Sequence, residues 1–140
     1  MIKLIFILVF LSTLASAQQE KPESNSDLRY GKTVFVYNDL KKNLKYTFKK
    51  KTTGESYLFS SDSGLVKLSS SQETDFEPLV VNLFIKIKYQ LDEFNQECKQ
   101  VSHLEYLGDK TSVCEKDTSR LKLVAEIKKR FDSIIINTKR

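Results

Sequence analysis

The chain opens Met1-Ile2-Lys3, runs from Leu4 to Leu14 with only Ser12 and Thr13 to interrupt an apolar stretch, and closes on Ala15-Ser16-Ala17. One positive charge, a short apolar segment and a small-x-small ending are the three regions of a secretory signal peptide. The stretch is shorter than the roughly 20 apolar residues that span a bilayer. Cleavage is therefore expected after Ala17, with Gln18 as the first mature residue. This leader constrains the fold before any other element is read, because an exported chain folds where disulfides form and persist. The expected location is secreted or periplasmic.

Two cysteines, Cys98 and Cys114, lie in the mature part. An even count in an exported chain predicts one disulfide between them. With a separation of 16 residues, the chain-entropy argument puts its contribution at about 3 kcal/mol. Two distant cysteines and one histidine make a poor metal set, so neither metal nor cofactor is expected. Residues 79–91 form the longest later apolar run, and Asn82, Lys86, Lys88 and Gln90 break it. No membrane span is expected after cleavage.

Residues 18–31, QQEKPESNSDLRYG, are polar and carry no apolar period, which predicts a flexible lead-in. A single domain is expected over 32–140. Thr33–Tyr37 is a continuous β-branched and aromatic run, the pattern of a strand covered on both faces. Leu44, Tyr46 and Phe48 alternate with Lys45, Thr47 and Lys49, as in a half-buried strand. Turns at Thr52-Thr53-Gly54-Glu55 and Ser61-Asp62-Ser63-Gly64 separate two further short strands, Ser56–Ser60 and Leu65–Ser69. The second turn, leading through Gly64 into Leu65, resembles hairpins of secreted immunoglobulin-like modules; the resemblance covers this hairpin alone and carries no function.

Thr74, Glu77 and Pro78 resemble the capping box and first turn of a helix. The residues that follow fit two periods. Leu79, Val81, Leu83, Ile85, Ile87, Tyr89 and Leu91 alternate as in a strand, whereas Phe84, Ile87, Leu91, Phe94, Cys98 and Val101 form a helical stripe. A helix over roughly 77–101 is preferred; a long strand over 79–91 followed by a short helix is the alternative. Residues 102–113 can fold back as a hairpin through Gly108-Asp109. From Thr118 to Asn137 the stripe Val124, Ile127, Phe131, Ile134 and Ile135 predicts an amphipathic helix capped by Asp117 or Thr118. The fold class is thus α+β: a small antiparallel β-meander packed against a C-terminal amphipathic helix and a second helix, with one disulfide.

Without Lys3, 22 basic residues face 18 acidic ones, a formal charge of +4. The ends of the mature chain are basic and its middle is acidic. That balance keeps a small domain soluble and is compatible with an anionic envelope component, a glycan or a protein as partner. It does not point to nucleic acid. Lys49, Lys50 and Lys51 end a strand beside Tyr46 and, across the turn, Tyr57. Interleaved lysines and aromatics can bind a partner or guard a sheet edge, so these five residues are the partner-binding candidates.

No glycine-flanked serine, phosphate-cradling glycine loop, HExxH or EF-hand sequence occurs. His103 is the single histidine; acid–base work would need it beside Asp92, Glu93 or Asp109 in a concave pocket. Paired carboxylates such as Asp75 with Glu77 or Asp92 with Glu93 fit a helix cap or a solvated face better than glycoside hydrolysis. A non-enzymatic exported binding or envelope-associated domain is the expected role, with a small secreted hydrolase built on His103 as the alternative.

Overall fold

The structure, a computed structural model, describes residues 25–90 and 98–139. The leader with its expected cleavage at Ala17, the start of the lead-in, and Asp92 and Glu93 lie outside those residues. Helix α1 (Asn25–Tyr30) is followed by four strands, β1 (Lys32–Asp39), β2 (Leu44–Lys50), β3 (Ser56–Ser60) and β4 (Gly64–Lys67). Then come α2 (Ser70–Tyr89), β5 (Gln100–Tyr106), β6 (Asp109–Cys114) and α3 (Thr118–Thr138). The strands form one antiparallel sheet in the order β4-β3-β2-β1-β5-β6. Both long helices pack on one face, giving the α+β class and the meander read from the sequence. The likeness to immunoglobulin-like hairpins ends at the turn before Gly64, because no second sheet closes a sandwich among the described residues.

The core lies between sheet and helices. Phe35, Tyr37, Tyr46, Phe48, Leu58, Leu104 and Val113 meet Phe76, Val80, Leu83, Phe84 and Ile87 of α2 and Val124, Ile127, Phe131 and Ile135 of α3. Phe131 is its hub, with ring centroids 5.0 Å from Phe76, 5.2 Å from Tyr46 and 6.1 Å from Phe35. Such aromatic contacts add about 0.5–1.5 kcal/mol each beyond the area they bury. Cys98 and Cys114 are joined as expected, tying the chain after α2 to the end of edge strand β6.

Two expectations need correcting. The helix expected over about 77–101 begins at Ser70 and ends at Tyr89, and Gln100 already belongs to β5. Its cap is Ser69, whose hydroxyl accepts from the Gln72 amide while the Gln72 side chain accepts from the Ser69 amide. Thr74 and Glu77 are inside the helix, and so is Pro78. An interior proline costs about 3 kcal/mol of helix propensity; burial of Phe76 and Val80 on either side of it offsets that cost. The buried positions, 76, 80, 83, 84 and 87, have helical spacing, so the strand alternative fails.

Second, β1 is covered on one face only. A register irregularity between Thr33 and Phe35 turns both Val34 and Phe35 inward, so a continuous apolar run serves a single face. Of the lead-in expected over 18–31, the described residues from Asn25 form α1 up to Tyr30. Gly31 stops it: its amide donates to the Asp27 carbonyl (2.8 Å) with φ +85°. A Cβ there would lie 2.2 Å from the Lys50 carbonyl oxygen, so only glycine lets the two backbones meet.

Candidate binding face

The five residues singled out around the lysine run do not form one patch. Successive side chains of a strand point to opposite faces, so Lys49 and Lys50 separate. Lys49 stands on the face away from α2 and α3 and pairs with Asp27 of α1 (3.0 Å), whereas Lys50 reaches Glu77 of α2 (2.9 Å). That contact raises the Lys50 pKa. Lys51 pairs with Glu55 (3.1 Å) and lies over the Tyr57 ring. Tyr46 is a core residue whose hydroxyl donates to Asp132 (2.9 Å). Nor is the run an edge, because β2 lies between β1 and β3; the edges are β4 and β6.

What the sheet does expose is much of the face opposite α2 and α3. Across the strands its central row reads Leu65, Phe59, Thr47, Val36, Glu105 and Lys110, each opposite the next. One flanking row reads Lys67, Tyr57, Lys49, and the other Lys45, Asn38, His103, Ser112. The β5–β6 half is polar. The β3–β4 half is apolar and ringed by lysines, with Phe59 and Leu65 opposite each other and 40% and 41% exposed. α1 borders this half through Asp27–Lys49 and an edge-on contact of Tyr30 with Tyr57 at 5.4 Å.

β3 is inverted relative to its hydrophobicity. In Ser56-Tyr57-Leu58-Phe59-Ser60 the two serines are buried with Leu58, and the two aromatics face outward. Neither buried hydroxyl is left unsatisfied: Ser56 donates to Glu73 (2.7 Å) and Ser60 to Asp62. Small inward residues leave room for the Phe48, Phe76 and Tyr46 rings. The consequence is an exposed Phe59 and, beside it on the same face, a half-buried Tyr57 against Tyr30. The alternation of SYLFS marks a strand but does not say which of its two faces is buried.

At the end of this half, Glu55 accepts from Lys67 (2.8 Å) and pairs with Lys51, and Tyr57 also donates to it (3.3 Å). Lys67 first and Lys51 second hold the Glu55 pKa down at about 2. On this face Lys49 and Lys67 flank the row of Phe59 and Leu65 on one side and Lys45 on the other, Lys51 lies further along, and two carboxylates, Asp27 and Glu55, stand among them. Beside them a groove of about 650 Å³ runs between α1 and the β2–β3 turn, lined by Asp27, Gly31, Lys32, Val34, Lys50 and Thr52 among others.

The polar groups elsewhere read as scaffold. His103 faces outward between Asn38 and Ser112, whereas Asp109 pairs with Lys88 of α2 on the helical side. The structure does not bring this pair together. Tyr37 and Tyr46 are stacked at 5.6 Å. Burial is the main cause that pushes both phenols up to about 12, so they remain donors and cannot serve as bases near neutral pH. Among the described residues no group of three His, Cys, Asp or Glu could hold a metal, and no helix is long and apolar enough to cross a membrane. No family model, curated protein or solved structure matches the chain. The uncovered sheet face is therefore read from its own chemistry.

Proposed function

We propose that this protein is a non-enzymatic binding domain that acts after export, and that its partner docks on the β3–β4 half of the uncovered sheet face. The observation that carries this reading is the inversion of β3. A strand that buries two serines and turns out Tyr57 and Phe59 forgoes apolar burial worth roughly 25 cal/mol per Å². Departures of this kind from local preference concentrate at functional surfaces. The lysines around Phe59 and Leu65 favour an anionic partner that also offers apolar groups. The leader and the Cys98–Cys114 disulfide support a place outside the cytoplasm.

The test compares the processed protein with a Phe59→Ser, Leu65→Ser variant and with Ile136→Ser on exposed α3 as control. Each is immobilised and offered the extracellular or envelope fraction of its source. Loss of a retained component by the double variant alone, with an unchanged circular dichroism spectrum, supports the reading. Undiminished retention by the folded double variant sinks it. Mass spectrometry of the exported chain checks its start at Gln18, and a retained Met1 overturns the export step.

A further inference from the structure

The edge beside this face has a defined hydrogen-bonding pattern. The Leu68 amide donates to the Ser56 carbonyl at 2.9 Å. In an antiparallel ladder bonded and non-bonded pairs alternate, so Leu58 and Val66 form the next bonded pair, whereas Tyr57 with Lys67 and Phe59 with Leu65 are non-bonded. The N–H and C=O groups of Leu65 and Lys67 consequently point away from β3, out of the edge of the sheet. Their side chains stand on the uncovered face beside Phe59 and Tyr57. Backbone and side-chain recognition groups therefore coincide on the same two residues.

We propose that β4 receives an extended, acidic segment of a partner protein as a seventh strand, with main-chain bonds to Leu65 and Lys67 and an apolar side chain set against Leu65 and Phe59. The proposal rests on the binding-face reading above and names the class of partner. Alternating N–H and C=O groups are matched by an extended polypeptide and by neither a polysaccharide nor a lipid surface. Acidity follows from charge: Lys51 and Lys67 share the single carboxylate of Glu55, so a second carboxylate beside them is favoured.

A second copy of the chain fits less well. Pairing β4 with β4 would bring together two such lysine-rich clusters. The other edge, β6, presents Lys110 opposite Glu105 and Ser112 opposite His103, a polar row guarded by an exposed lysine.

The test uses a short peptide of alternating glutamate and valine, with a block-ordered peptide of the same composition as control. Addition of the alternating peptide to the processed protein should slow amide exchange at Leu65 and Lys67 by about tenfold or more, as for amides newly placed in a ladder. Lys67→Pro removes one outward N–H at an edge position that tolerates proline; Lys67→Ala keeps it and removes only the charge. The proline variant should bind at least about tenfold more weakly than the alanine variant, with matching circular dichroism and thermal midpoint.

Equal affinity of the two variants, or protection at Lys110 and Ser112 instead, overturns strand addition. Phe59→Ser distinguishes this from failure of the broader reading. If that substitution still abolishes binding, the face survives and the strand mode falls; if it too has no effect, both fall. Retention by heparin or anionic vesicles with no response to the alternating peptide overturns the polypeptide assignment. Dimerisation through β4 in sedimentation overturns it in favour of self-association.

Discussion

The Nε of Arg120, near the start of α3, donates to the Ile87 carbonyl in the last turn of α2 at 2.8 Å. Arg120 is 3% exposed, and its guanidinium also lies 3.4 Å from the Thr111 hydroxyl and 3.6 Å from the Asp117 carboxylate. One side chain thereby joins the C-terminal end of α2, the start of α3 and edge strand β6. A cation is favoured at a helix C-terminus, where carbonyls lack intrahelical partners. Arg120→Ala should destabilise the fold by about 3–5 kcal/mol, because it leaves Asp117 buried without its charge partner. Urea denaturation measures this; a loss below about 1 kcal/mol would show that the contact carries little.

Arg120 also shows what the sequence holds and how it can be passed over. Positions 120, 124, 127 and 131 share one helical stripe, so a charged residue stood on the apolar face of α3 and signalled a buried partner. The strands, both turns, the disulfide and α3 were legible because each rests on local chemistry: alternation, glycine positions, cysteine count and helical spacing. The start of α2 was misplaced because Pro78 reads as a first-turn residue, whereas the Ser69–Gln72 box is equally local and was overlooked. The candidate face was not legible. Residue type gives the period of β3 but not its phase, which is set by pairing Leu58 with Phe48 and Val66 on the buried side. The lysine run is contiguous in sequence but not in space, because alternation along β2 sends Lys49 and Lys50 to opposite faces.

Leu107 occupies the left-handed region at φ 48°, followed by Gly108 at φ 85°, in the two-residue turn between β5 and β6. This is the type I′ arrangement, which favours asparagine at its first central position. Leucine there carries the cost of a Cβ close to the following carbonyl, about 1 kcal/mol, and it is 66% exposed, so little burial offsets that cost. Leu107→Asn should therefore stabilise the protein by about 0.5–1 kcal/mol, read as a higher urea midpoint at unchanged slope. An equal or lower midpoint would mean that Leu107 makes contacts worth more than the strain.

Tyr37 and Tyr46 link stability to alkaline pH. Burial, joined for Tyr46 by the hydrogen bond to Asp132, holds both folded-state pKa values up at about 12 against an ordinary value of 10.0. Between these values the unfolded chain has released protons that the folded chain still binds, so raising pH favours unfolding. The contribution is fully present below about pH 10 and is lost as pH rises through about 12. Tyr46→Phe should flatten this loss by about one proton while costing about 1 kcal/mol at neutral pH for the missing bond to Asp132. Urea midpoints measured across the window test both parts; an unchanged slope above pH 10 would rule out Tyr46 as a contributor.

Glu55 provides the acid-side counterpart at the rim of the candidate face. Its pKa falls from the ordinary 4.5 to about 2, first through the hydrogen bond from Lys67 and then through that from Lys51. A lowered folded-state pKa contributes stability above about 4.5, and that contribution disappears as pH falls through about 2. The carboxylate is exposed, so the effect is screened by salt and shows more clearly in its own titration than in global stability. Carboxyl carbon NMR should give a Glu55 midpoint near 2 at low salt. Lys67→Ala should move it up the most, Lys51→Ala less, and the pair together should restore the ordinary value. A midpoint indifferent to Lys67 would break the argument that Lys51 and Lys67 are held by one shared carboxylate, and with it the argument that a partner's acidic group is favoured beside them.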